Sequence, residues 1–106
     1  MTLFQLARLL LVTNRLAEAE TLLRDVRERF RALRGEKDRD TLRARLALAY
    51  CIGMQGRDEE IADEYAAAVA AARETFGDDE FTRTAVTDWQ AHLARRAART
   101  RAASEK

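Results

Sequence analysis

Between residues 16 and 33 the apolar side chains Leu16, Ala19, Leu22, Leu23, Val26, Phe30 and Leu33 recur every three or four places. That is the spacing of one face of an α-helix, with charged residues filling the other face. The same reading divides the chain into five helices, expected over 2–13, 15–34, 40–54, 58–76 and from 80 to beyond 99, before a frayed tail at 102–106. No stretch shows the strict alternation of a half-buried strand. Proline is absent, and the four glycines, Gly35, Gly53, Gly56 and Gly77, punctuate segments rich in Ala, Leu, Arg and Glu, which are good helix formers. The connections are short, so sequential helices are expected to be antiparallel.

The chain also repeats itself. Shifted by 42 positions, Leu6 and Ala7 fall on Leu48 and Ala49, Leu10 on Ile52, Asn14 on Gly56, Arg15 on Arg57, Ala19 on Ile61, Leu23 on Tyr65, Val26 on Ala68, and Gly35 on Gly77. A third copy, one residue shorter, sets Thr41 on Thr82, Ala44 on Ala85 and Leu48 on Trp89, and only its first helix is present. One helical hairpin cannot bury its own apolar stripe, so repeats of this length are expected to stack into a common core. Leu23 and Val26 are expected to pack on Ala49 and Ile52, and Tyr65 and Ala68 on Trp89 and Leu93. Tyr65 and Trp89 should then lie in the buried layer.

Leu48, Ala49, Ile52, Gly56, Ile61, Tyr65 and Ala68 follow in order the large, small, turn-glycine, small and aromatic pattern of the tetratricopeptide family, which this chain resembles over nearly its whole length. The period exceeds the family's usual repeat of about 34 residues and is similar to the kinesin-light-chain variety. The segments 35–42 and 77–84 resemble that variety's inter-repeat loop, although Lys37-Asp38-Arg39 and Asp79-Glu80-Phe81 stand where it usually carries His-Pro. The resemblance implies an all-α fold of antiparallel hairpins stacked as a short right-handed superhelix. It forms a single domain with repeat 1 over about 2–35, repeat 2 over about 40–77 and a half repeat or capping helix over about 80–101. It implies a protein–protein interaction module and not an enzyme. In that family the first helix of each pair lines the concave face. Carried over position by position, that face comprises Phe4, Arg8, Leu11, Arg43, Leu46, Tyr50, Met54, Thr84, Thr87, Ala91 and Arg95. Arginines among apolar side chains suit an extended segment carrying acidic and apolar groups, because a guanidinium grips a carboxylate bidentately.

Composition narrows the partner classes. Nineteen Lys and Arg against eighteen Asp and Glu give a net charge of +1 over 106 residues, which provides no field to draw the chain to nucleic acid or an acidic membrane. Asp58-Glu59-Glu60 open the fourth helix, where acids suit the helix dipole and would repel a phosphate backbone. The apolar run 3–12, interrupted by Gln5 and Arg8, falls well short of the roughly 20 residues a bilayer span needs. It also lacks the basic lead-in and cleavage site of a secretion signal. With a lone cysteine, Cys51, that can form no internal disulfide, a cytoplasmic setting is expected.

Candidate chemistry is sparse. His92, the sole histidine, is expected to be exposed or half-buried on the fifth helix without a special role. Cys51 reads equally as a small core residue or as a nucleophile needing a basic neighbour. One histidine and one cysteine fall short of a zinc site's ligands, and no glycine-rich phosphate loop is present, so no cofactor or metal is expected. Glu20 with Arg24 and Asp25 with Arg29 read as exposed helical pairs on a solvated face.

The first helix is apolar around more than half its circumference. The second helix is expected to bury the side bearing Leu6 and Leu10, leaving Phe4, Leu9, Leu11 and Val12 as an association surface. The partner there would be a second copy in a homodimer or a preceding repeat, and the chain would then be a self-associating assembly domain or part of a larger repeat-containing regulator.

Overall fold

The computed structural model describes residues 3–104, with side chains described from residue 5 onward. It is all-helical: α1 spans Leu3–Val12, α2 Leu16–Arg34, α3 Arg39–Met54, α4 Asp58–Phe76 and α5 Glu80–Ser104, with no strand among the described residues. Each helix packs on the next, and α5 packs also on α3. The segment 102–104, expected to fray, continues α5, in keeping with the high helix propensity of Ala and Arg there.

The repeat is reproduced in the backbone. The α1–α2 turn closes with Arg15 N–H donating to Leu10 O at 2.8 Å, and the α3–α4 turn with Arg57 N–H donating to Ile52 O at 3.3 Å. Both turns need a left-handed residue, and Asn14 (φ 61°) and Gly56 (φ 80°) supply it. Gly35 and Gly77, also at positive φ, end α2 and α4 by donating to Arg31 O and Arg73 O, each at 2.9 Å. Asp38 and Asp79 then cap the following helices, accepting from the backbone N–H of Asp40 and of Thr82, each at 2.9 Å.

Ala7 and Leu10, Ala19 and Leu23, Leu48, Ala49, Cys51 and Ile52, and Ile61, Tyr65 and Val69 form one buried cluster. Ala7, Ala19, Ala44, Ala49, Ala68 and Ala72 are fully buried, and their small side chains permit close helix approach. Leu23 thus lies with Ala49 and Ile52 as expected.

Several expectations fail at the edges of this core. Leu6 is 37% exposed, because α2 covers the side of α1 that bears Ala7 and Leu10, and Leu6 lies a step of the helix away. Trp89 is only half-buried and Leu93 is exposed. Leu93 occupies in α5 the place that Ile52 occupies in α3, but α4 covers Ile52 and no described helix follows α5. Leu33, in the last turn of α2, is also exposed. His92, by contrast, is 1% exposed.

Glu20 is a further exception. Its side chain is 14% exposed and accepts from Arg24 at 2.9 Å, from Gln55 Nε2 at 2.9 Å and from Arg57 Nη1 at 2.6 Å. Burial alone would push its carboxyl up, but the hydrogen bonds from Gln55, Arg24 and Arg57 prevail and hold it at about 2. The Arg57 guanidinium also pairs with Glu60 at 2.6 Å. This network joins α2 of the first repeat to the α3–α4 turn of the second.

Candidate binding groove

A cavity of about 620 Å³ opens on the face shared by α1, α3 and α5. From α1 come Arg8 and Leu11. Arg39, Arg43, Leu46, Ala47 and Tyr50 come from α3, and Glu80, Phe81, Thr84, Ala85 and Asp88 from α5, while Tyr65 of α4 reaches its floor. The cavity crosses the three helices obliquely. It meets the C-terminal half of α1, most of α3 and only the N-terminal half of α5, as expected if each repeat is rotated relative to the one before.

The obliquity decides which of the expected groove residues meet. Arg8, Leu11, Arg43, Leu46, Tyr50 and Thr84 line the cavity together. Met54 is exposed at the far end of α3, and Ala91 and Arg95 lie one to two turns beyond the stretch of α5 that faces the cavity. Thr87 faces a separate depression with Arg73, Arg83 and Val86. The side chain of Phe4 lies outside the described ones. Alignment by repeat position carried the α3 stripe straight onto α5, whereas α5 presents Phe81, Thr84, Ala85 and Asp88, a helical stripe shifted by part of a turn. Glu80, Phe81, Ala85 and Asp88 of α5 were missed for the same reason, while Arg39 and Ala47 of α3 and Tyr65 of α4 flank the stripe that was carried over. The apolar and small residues of that stripe were legible as a helical face. Its orientation was not.

The walls differ in charge. Arg8, Arg39 and Arg43 stand on the α1–α3 side, and Glu80 and Asp88 on α5. Arg39 is pinned: its guanidinium lies 4.6 Å from the Phe76 ring and 5.3 Å from the Phe81 ring, and Nη2 donates to Asp79 at 2.8 Å. Phe76 and Phe81 meet edge to face at 5.5 Å. The backbone N–H of Thr82 and then Arg39 hold the Asp79 carboxyl below its ordinary value. Arg43 lies 3.6 Å from Asp40, whereas Arg8 is exposed and has no ion pair among the described residues. Burial pushes the Asp88 carboxyl up, against the pull of Arg95, and likewise pushes the Tyr65 phenol well up, with the Asp88 charge adding to it.

Behind the floor, His92 sits 5.2 Å from the Tyr65 ring, with Nδ1 3.6 Å from Asp58 Oδ1, and neither ring nitrogen has a hydrogen-bond partner. Burial holds its pKa below the ordinary value despite the opposing charge of Asp58. Asp58 is itself gripped by Arg99 at 2.5 Å. The room for the imidazole comes from Gly53, where an added Cβ would fall 2.8 Å from Nδ1. Cys51 is fully buried, its thiol donates to Leu16 O at 3.1 Å, and burial pushes its pKa up. On α1, Leu9 and Val12 are 47% and 80% exposed, while Leu11 is half-buried at the cavity.

Among the described residues, no cluster of His, Cys, Asp and Glu is arranged to hold a metal ion, and no helix is long and apolar enough to cross a membrane. Compared with models of known families, with curated proteins and with solved structures, the chain matches none.

Proposed function

We propose that this chain is a protein–protein interaction module of the tetratricopeptide kind whose oblique cavity receives an extended segment of a partner protein. The observation that carries this reading is the lining itself. Leu11, Leu46, Tyr50 and Phe81 offer apolar contact, with Arg8 and Arg43 along one wall. Such a concave apolar surface with a few charged groups suits a peptide with an apolar anchor and a neighbouring carboxylate. Glu80 and Asp88 opposite add a preference for a basic or neutral group on the α5 side. The reading assigns the chain no reaction and goes with a cytoplasmic setting, in which Cys51 stays a thiol.

Fluorescence polarisation with a library of short acidic–apolar peptides tests it. Saturable binding that drops at least tenfold in an Arg8→Glu/Arg43→Glu variant, and is unchanged in Arg101→Glu, is the expected outcome. Equal binding by all three proteins refutes the groove. A second reading, self-association of a larger assembly, is favoured by the exposed Leu9 and Val12 on α1.

A further inference from the structure

The two hairpins turn alike, yet one side of α1 is more exposed than the equivalent side of α3. Arg15 and Arg57 precede α2 and α4 with nearly the same backbone, φ and ψ of −94° and 66° against −91° and 56°. Each pairs with the glutamate three residues on, Glu18 at 2.7 Å and Glu60 at 2.6 Å. In the second repeat, α2 covers the outer side of α3. Leu48 and Cys51 are 2% and 0% exposed, the Cys51 thiol donates to Leu16 O, and Arg57 takes Glu20 of α2 as a second carboxylate. In the first repeat the corresponding side of α1 is bare: Leu6 and Leu9, at the places of Leu48 and Cys51, are 37% and 47% exposed. Arg15, its side chain 58% exposed, has the carboxylate of its own helix and no second one among the described residues.

We propose that this side of α1 is a docking surface for one amphipathic helix of a partner protein, lying antiparallel to α1 as α2 lies against α3. The internal junction specifies the partner's chemistry. Its apolar stripe follows the i, i+4, i+7 spacing of Ala19, Leu23 and Val26, all buried in α2. A glutamate immediately after the small residue, as Glu20 follows Ala19, completes the charge of Arg15. Leu9 is bulkier than Cys51, so the partner carries a side chain smaller than leucine where α2 has Leu16. The surface is separate from the cavity, and its failure would leave the groove reading untouched.

The test uses the full chain and a fluorescein-labelled synthetic peptide of residues 15–35 bearing Leu16→Ala. Saturable anisotropy is expected, weakened at least tenfold by Leu9→Glu and by Arg15→Glu in the chain, both exposed positions whose folding is checked by circular dichroism. A peptide that also carries Glu20→Arg should lose affinity for the wild-type chain and regain it for Arg15→Glu. Three outcomes overturn the proposal. The peptide does not bind, or it binds with no response to Leu9→Glu and Arg15→Glu, as it would by displacing the chain's own α2. In the third, sedimentation equilibrium finds a wild-type dimer that Leu9→Glu dissociates, so that a second copy occupies the surface.

Discussion

Replacing Glu20 by Gln removes the charge at the centre of the junction between repeats while keeping its shape. The carboxyl, ordinarily at 4.5, is held at about 2 by Gln55, Arg24 and Arg57, which corresponds to about 3 kcal/mol of preference for the ionised form in the folded chain. Arg24 and Arg57 are themselves 47% and 38% exposed. Water therefore screens the pair, and the expected loss is about 1–2 kcal/mol at neutral pH. For a domain of this size that is roughly 4–16 °C in Tm. The sign is fixed by linkage. A carboxyl whose folded pKa is depressed contributes stability that is complete above about 4.5 and is lost as the pH falls toward 2. Urea unfolding at several pH values from 7 to 2.5 is the assay. Wild type should lose stability through this window more steeply than Glu20→Gln, and the two curves should converge at its acid end. Parallel curves would show that Glu20 titrates normally in the folded chain and would refute the reasoning.

Leu23→Ala, which empties a fully buried position in the central cluster, should cost about 2–5 kcal/mol, read as a lower urea midpoint with an unchanged slope. Gly53→Ala would gain helix propensity but drives a Cβ to 2.8 Å from His92. Net destabilisation of about 1–3 kcal/mol is expected, largely removed in a His92→Ala background, and additive effects in that double-mutant cycle would argue against the contact. His92 is held below 6.5 by burial, so the stability it lends is complete above about 6.5 and declines as the pH falls below it. Thermal melts between pH 7.5 and 5 should show this decline in wild type and a flatter profile in His92→Phe.

The hairpins were legible because their turns carry local signals. Gly35, Gly56, Gly77 and the acidic caps act within a few residues, and the apolar period of α2 needs no partner to be seen. The rotation between repeats was not legible, since it follows from how whole helices settle on one another. It moved Ala91 and Arg95 off the groove and brought Glu80, Phe81 and Asp88 into it. His92 escaped prediction because its burial depends on the missing side chain of Gly53, 39 positions away in the chain. Glu20 read as one more member of an exposed helical pair. Only the fold brings Gln55 and Arg57 to it.

The matched turns and caps at Asn14 and Gly56, and at Gly35 and Gly77, bear on how this chain could be lengthened. A duplication of the segment 36–77, inserted after Gly77, would begin and end at equivalent backbone positions. Arg57 of the added unit would find an alanine, Ala62, at the place of Glu20, so the new seam would lack that ion pair. The architecture therefore admits growth by whole helical hairpins. Each added unit inherits its fold from the unit before it and must acquire its own inter-unit charge.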